Sequence, residues 1–581
     1  MDPVTLAVLK GALDQVCAEM ESSFVRAAFS PVIAEGQDMA CGIYAPATGE
    51  VVAQGEGGLP IFVVTMQDVV QNVLSVFPSP RPGDVYLTND PYRGGTHLMD
   101  VKMVRPYFYA DQLVCYLANT GHWTDVGGAV PGGYAPQATE VYQEGLRMPP
   151  VRICRDGELD DDLLSMILAN VRVPHQQLGD LKAQLGALAV GARRLTRVLD
   201  KHGLDQFAAL VAELRAYAER KIRVYLAEIP DGRYAFEDCM DNDGHENRPL
   251  RIALDLTVER GELTFDFSRS SPPCRGPLNC SHSATASACL VAMKHLYPDV
   301  PINSGFLRPF HFNIPETTFL NAQLPRPVAG AAAEVTQRVI DVVFGALSQA
   351  LPERVGAGNV GTAANLALAG QAPDRGRFVV YMWSGGGYGG SAQGDGLTNG
   401  SAPGGGAHTW TGPAEVYEQR APVLFLRQEL REGSAGAGRW RGGFGVTREL
   451  LLRDGTGSVS FIGDRGCCRP FGILGGLAAA PTEFVVLHDG QEYRPPMVTK
   501  VQAHPLVAGD RIRISTPGGG GYGDPLARAP DLVAADVRAG YYSPARAAAD
   551  YGVVVTATGE LDLPATAELR ATRRSEAAPR S

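Results

Sequence analysis

The chain has no apolar run that approaches the ~20 residues needed to cross a bilayer. Its first residues, Met1-Asp-Pro-Val-Thr-Leu-Ala-Val-Leu-Lys10, show neither a cationic n-region nor a small-residue cleavage site. Membrane-spanning and secreted classes are therefore excluded by expectation, and a cytoplasmic protein is expected. A basic stripe interleaved with aromatics is also missing. The net charge of −11 is spread along the chain, which argues against nucleic acid as a partner. None of the ten cysteines forms a C-x-x-C pair, and several sit inside apolar runs such as Leu113-Val-Cys115-Tyr-Leu117. Buried, reduced thiols are expected rather than metal or disulfide use. There is no Gly-x-x-x-x-Gly-Lys-Ser/Thr, and the glycine-rich loops lack a following lysine and helix start, so the chain shows no ATP site of its own. No solenoid-type repeat is present.

What is present is ordinary globular material: 45% hydrophobic and 20% charged residues over 581 positions. A single core stops growing near ~250–300 residues, so two or three domains are expected. Apolar periodicity predicts a helix over 2–29, with Leu6, Leu9, Leu13, Val16 and Met20 on one face. Short apolar runs bounded by Gly, Pro and Asp predict strands at 39–44, 84–88, 101–109 and 113–119. From Asp160 to Leu226 the pattern is helical, broken once at Pro174. Strands return between 229 and 325, with a helix near 284–296. Residues 384–406 form a glycine-rich loop, and short alternating runs after it predict a β-rich C-terminal part. The expected fold class is α+β and multi-domain. A mixed-sheet N-terminal metal-binding domain with a helical subdomain spans 1–228, and a central α/β domain spans 229–410. A β-rich C-terminal domain covers 411–555, with a flexible tail at 556–581.

The chemistry gathers in the first quarter. Asn89-Asp-Pro-Tyr-Arg-Gly-Gly-Thr-His97-Leu-Met-Asp100 precedes one predicted strand, and Gly121-His122-Trp-Thr-Asp125-Val-Gly-Gly follows the next. The two strands are separated by the short polar turn Ala110-Asp111 and should pair as an antiparallel hairpin. A turn centred between these residues puts Asp100 opposite Gly121 and His97 near Thr124, so two His-x-x-Asp sets emerge at the open end of one ribbon. Two imidazoles with one or two carboxylates suit Zn²⁺, Mn²⁺ or Fe²⁺ and disfavour Mg²⁺ or Ca²⁺, which want oxygens only. Asp38, heading the strand 39–44, is a candidate fourth ligand. For Asp125, an Asx-type turn holding the Gly127-Gly128 bend competes with a catalytic or supporting role.

These residues, with Glu35-Gly-Gln-Asp38, Ala138-Thr-Glu-Val-Tyr-Gln-Glu-Gly145, Asn170-Val-Arg-Val-Pro174, Arg441-Gly-Gly-Phe-Gly-Val446 and Thr516-Pro-Gly-Gly-Gly-Gly-Tyr-Gly-Asp-Pro525, resemble the hydantoinase B/oxoprolinase family. The family comprises the B-type subunits of N-methylhydantoinases, 5-oxoprolinases and related lactamases, with acetone and acetophenone carboxylases as relatives. The resemblance runs from about residue 3 to residue 555. It implies one divalent transition metal held by Asp38, His97, Asp100 and His122. It also implies an A-type partner of the sugar-kinase/actin-like ATPase kind, which uses ATP to phosphorylate the substrate before water, activated at the metal, hydrolyses the ring.

In that scheme Asp125 takes a proton, while Glu140 and Glu144 are candidates to face the substrate, weighed against plain structural acceptor roles. A hetero-oligomer with two or more copies is expected. A ketone carboxylase subunit and a non-catalytic scaffold for the ATPase stand as alternatives. Two departures matter: many members carry histidine within the stretch matching Gly57 to Val64, and a second one where this chain has Trp123. They point to a substrate other than hydantoins or oxoproline, although Trp123 also suits core packing. The glycine runs 385–390 and 518–521 are weighed as backbone nests for a phosphorylated intermediate, and turns between strands are preferred.

Overall fold

The computed structural model describes residues 3–577. Its N-terminal part is a seven-stranded sheet in the order Val51–Gln54, Met39–Tyr44, Gln112–His122, Asp100–Tyr109, Val85–Thr88, Val151–Arg155, Glu158–Leu159. Helices Pro3–Ala27 and Pro174–His202 pack on this sheet and on each other. The apolar stripe read from the sequence does the packing, since Leu9, Leu13, Val16 and Met20 are buried. Pro174 opens its helix at the first turn, where a missing N–H costs nothing. Leu204–Leu226 completes the helical region.

The helix Phe62–Val76 was not legible. Its run of valines favours strand by propensity, yet Val63, Val69, Val70 and Val73 are buried in a helix packed against His282–Leu296.

A four-stranded sheet follows, ordered Phe310–Asn313, Glu262–Asp266, Leu250–Glu259, Gly232–Met240. Helix Thr336–Leu347, buried along its whole length, packs on it. The β-rich part holds a four-stranded sheet (Gly376–Met382, Asn365–Ala372, Thr456–Ile462, Lys500–Val507) and a five-stranded one (Val423–Leu430, Val446–Leu452, Arg511–Ser515, Glu483–His488, Gln491–Tyr493). Strands from either side of residue 410 thus share one sheet. Within 556–581, expected as a tail, the structure places helix Leu563–Ala577, whose buried Thr566 accepts from Val554 N at 3.0 Å. Residues 2 and 578–581, parts of the predicted first helix and tail, lie outside the described residues.

Two expectations need correction. Cys239 and Cys468 are joined as a disulfide across 229 positions, and Cys467 is exposed. The cause is local: Asp241, just after the strand carrying Cys239, accepts the N–H groups of Cys467 and Cys468, each at 2.8 Å, and draws the two segments together. The other described cysteines are free and buried, as expected.

The second correction concerns the glycine runs, which are neither nests nor simple turns. Extended segments stack with direct main-chain contacts. Gly519 N donates to Gly443 O, Gly520 N to Gly358 O and Gly443 N to Tyr388 O, at 2.8–3.0 Å. A Cβ on Gly519 would lie 1.9 Å from Tyr388 O, so close approach, not a turn, demands glycine there. The amides of Gly386, Gly387, Gly390 and Gly519 to Gly521 all donate to carbonyls, so they are taken up within the stack and not directed at a phosphate.

Candidate metal centre

The ribbon 100–122 sets the site. Ala110 and Asp111 both adopt positive φ, 48° and 61°, as a tight hairpin turn requires. The register begins with Tyr109 facing Gln112, but an irregularity after Tyr107 shifts it, so that Tyr107 faces Cys115. This bulge puts Asp100 opposite His122 instead of the Gly121 expected from an unbroken ladder. The slip improves the site, since directly opposed residues project to the same face. On the other face Phe24 lies under Gly121, where any side chain would collide with it.

His97, Asp100 and His122 offer one ligand atom each, all within 4.8 Å of one another, and all three residues are buried. His97 Nδ1 lies 3.4 Å from Asp100 Oδ2, and His122 Nδ1 lies 3.3 Å from Asp100 Oδ1. Asp38 Oδ2 is 3.8 Å from His122 Nδ1. Two ligands bonded at ~2.1 Å to one tetrahedral cation stand ~3.4 Å apart, so these spacings suit the edges of a coordination shell better than optimal hydrogen bonds. His97 Nδ1 is also a buried nitrogen with no hydrogen-bond partner. On both counts the donor set fits a divalent transition metal.

The electrostatics describe the groups without a cation. Burial raises the Asp38 carboxyl to about 7, with His122 pulling it down and Asp100 pushing it up. Burial also pushes Asp100 upward, but His97, His122 and Lys102 together hold it well below the usual range. His97 is lowered to about 4 by burial, against the pull of Asp100. A buried imidazole that stays neutral is in the form that ligates metal. Lys102, on the same strand face as Asp100, is fully buried and lowered to about 8 by burial; its Nζ donates to Asp100 O at 3.1 Å.

The ligands line a small cavity, about 60 Å³, whose other walls are mostly apolar, including Ile61, Phe62 and Ala333. Tyr134, Tyr381 and Trp383 add aromatic walls, and Ala402, Gly404, Gly405 and Thr409 line another side. Tyr381 stacks on His122 with 4.9 Å between centroids and on Tyr134 at the same separation. None of these aromatic residues was marked by the sequence. Tyr381 lies near the end of strand Gly376–Met382 and Trp383 just past it, but nothing local indicates which distant side chains they meet.

The remaining predicted site residues do not join the cavity. Asp125 is buried and accepts from Gly127 N, Gly132 N, Arg172 N and Arg172 Nη1 at 2.8–3.2 Å, which is the turn-holding role. Glu144 is buried, accepts from Val328 N and Ala329 N at 2.9 and 2.7 Å, and is raised to about 8 by burial. It pins two loops together. Glu140 is exposed. Trp123 is core, its Nε1 donating to Gln184 Oε1 at 3.1 Å.

Comparison with known proteins agrees with the residues. The sequence profile described as hydantoinase B/oxoprolinase matches residues 2–525. The caprolactamase subunit beta of Pseudomonas jessenii is 33% identical, covering 98% of this chain and 99% of its own. The crystal structure of the ATP-dependent caprolactamase from that organism superposes with a TM-score of 0.89 at 31% identity, over 98% of this chain and 100% of that one. A nucleotide-free acetone carboxylase shares the fold, with a TM-score of 0.92 at 21% identity over 100% of this chain and 84% of that one. No described helix is long and apolar enough to cross a membrane.

Proposed function

The chain belongs to the hydantoinase B/oxoprolinase family, and on that footing we propose that it is the hydrolytic subunit of an ATP-dependent cyclic-amide hydrolase. Its substrate is an intermediate phosphorylated by a separate A-type ATPase subunit. One observation carries the reading: His97, Asp100 and His122 bring their donor atoms together in the wall of a small, largely apolar cavity. The word "beta" in the relative's name supports a partner subunit, and the ATP dependence of the solved caprolactamase supports the energy source.

In this reading Asp38, His97, Asp100 and His122 hold one Zn²⁺, Mn²⁺ or Fe²⁺ ion. Such a cation polarises an oxygen and lowers the pKa of water from ~15.7 toward ~7. The protein's share is placement and exclusion. Asp100 faces both imidazoles and fixes their orientation. Tyr381, donating to Asn365 Oδ1 at 2.7 Å, is held against His122 and covers one face of its ring. Lys102 offsets the charge of the two carboxylates when no cation is bound.

Hydrolysis is preferred over ketone carboxylation because the lactamase relative shares both sequence and fold, while the carboxylase likeness is one of fold alone. The test is reconstitution with an A-type ATPase subunit from the same organism, followed through lactam-dependent ATP hydrolysis and metal content. His97→Ala and His122→Ala are expected to lose both. Full turnover and full metal content in both variants would show the reading to be wrong, and dependence on bicarbonate would favour carboxylation.

A further inference from the structure

We infer that Trp383 selects the substrate, its indole N–H donating to an acceptor oxygen on a compact lactam ring and its ring plane limiting the size of that ring.

Trp383 lines the cavity and is only 5% exposed, yet its Nε1 is buried with no hydrogen-bond partner. A buried donor left unsatisfied is destabilising, because it has given up water without gaining a partner. The other aromatic polar groups of the wall are engaged. Tyr134 OH donates to Tyr381 OH at 3.2 Å, and Tyr381 OH donates to Asn365 Oδ1. Gln337 Oε1 accepts from Gly404 N at 2.7 Å, and Thr409 Oγ1 donates to Gly405 O at 2.6 Å. Outside the ligand cluster, Trp383 Nε1 is the buried polar side-chain atom of this wall that lacks a partner among the described residues. An occupant of the cavity that brings an acceptor would satisfy it.

The indole is also fixed in place. A Cβ on Gly36 would lie 2.2 Å from Trp383 Cη2, so the benzo edge fills the space that a side chain at position 36 would need. The carbonyl of Trp383 accepts from Arg448 Nη1 at 2.8 Å, and its ring leans on Tyr381 at 5.8 Å between centroids. Gly36 stands two positions before Asp38, so the indole packs against the turn that presents a candidate ligand. A fixed donor discriminates between substrates because it cannot follow a misplaced acceptor. The cavity of about 60 Å³ is well under the ~150 Å³ that accommodates a benzene-sized guest, so the indole wall favours a compact ring.

Because the inference rests on the cavity being the reaction chamber proposed above, the experiment separates the two. The full chain is reconstituted with its ATPase partner and assayed on unsubstituted five-, six- and seven-membered lactams and on ring-methylated versions of each. Trp383→Phe keeps an aromatic ring but removes the N–H. It should retain wild-type metal content while kcat/KM for the best lactam falls about tenfold, mainly through KM. Trp383→Leu opens the wall and should raise the preference for methylated over unsubstituted rings at least tenfold. Wild-type kcat/KM in Trp383→Phe overturns the donor role, and an unchanged ring preference in Trp383→Leu overturns the size limit. Loss of metal from Trp383→Phe would make the residue structural and overturn the inference too. If His97→Ala keeps full turnover, the chamber itself is misassigned, whatever the Trp383 variants do.

Discussion

Asp100 stands between two imidazoles, with Oδ2 3.4 Å from Nδ1 of His97 and Oδ1 3.3 Å from Nδ1 of His122. Without a cation these buried groups are only partly compensated. A metal that binds only the folded form therefore stabilises it, by ~2.7 kcal/mol at one hundred times Kd. Stripping the protein with a chelator should lower its first thermal transition, and Zn²⁺ or Mn²⁺ should restore it. Asp100→Asn should abolish that response and reduce metal affinity by at least ~100-fold, more than a change to a residue that merely supports the ligands. Calorimetry with and without metal checks both; an identical transition in stripped and loaded wild type would count against a bound cation.

Asp125 accepts four hydrogen bonds, two of them from Arg172. Asp125→Ala leaves three amides without their acceptor and strips the carboxylate from a part-buried guanidinium that keeps only Gly128 O, at a cost of roughly 3–5 kcal/mol. The variant should melt earlier, while the folded fraction keeps its metal and most of its kcat. Loss of kcat by several orders of magnitude with an unchanged melting curve would restore Asp125 as a proton acceptor.

Glu21 is raised to about 7 by burial, against the pull of the Gly57, Cys41 and Gly58 backbone. A carboxyl whose folded pKa exceeds its unfolded value favours the folded state fully below ~4.5. That contribution is lost as pH rises through about 7. Glu21→Gln should flatten this part of the stability profile. Urea unfolding at several pH values checks the difference between the two proteins, which should widen in favour of the variant from acid to neutral pH.

The glycine stack has no slack. Gly519→Ala sets a methyl 1.9 Å from Tyr388 O, and the obstacle is main chain rather than a side chain that can rotate away. A loss above ~4 kcal/mol, in the range reserved for exceptional substitutions, is expected. Gly540→Ala is a control of a different kind: nothing lies near its added methyl, and only the strain of its positive φ of 74° is felt. Melting curves should show the first variant the more damaged.

The ligand cluster was legible because it is local. His97, Asp100 and His122 lie on one ribbon, and the polar pair Ala110-Asp111 marked its turn. The exact pairing was not, because a bulge near Tyr107 moves Asp100 from Gly121 to His122 and leaves no signature in the apolar pattern. Short apolar runs bounded by Gly, Pro and Asp found the strands nearest the site, but the valines of Phe62–Val76 concealed a helix whose burial overrides their propensity. The Cys239–Cys468 bond was hidden for another reason. Which of ten thiols meet depends on Asp241 gathering two distant segments, a contact with no sequence spacing. Trp383 and Tyr381 belong to the same group, because they reach the ligands only through tertiary folding.

Tyr134 and Tyr381 touch across 247 positions of sequence, so the ligands lie in the first quarter of the chain while part of the wall around them comes from its second half. One face of the His122 ring is therefore covered only when the strand carrying Tyr381 meets the first sheet, and a chain cut short before that strand would leave the ring bare on that side.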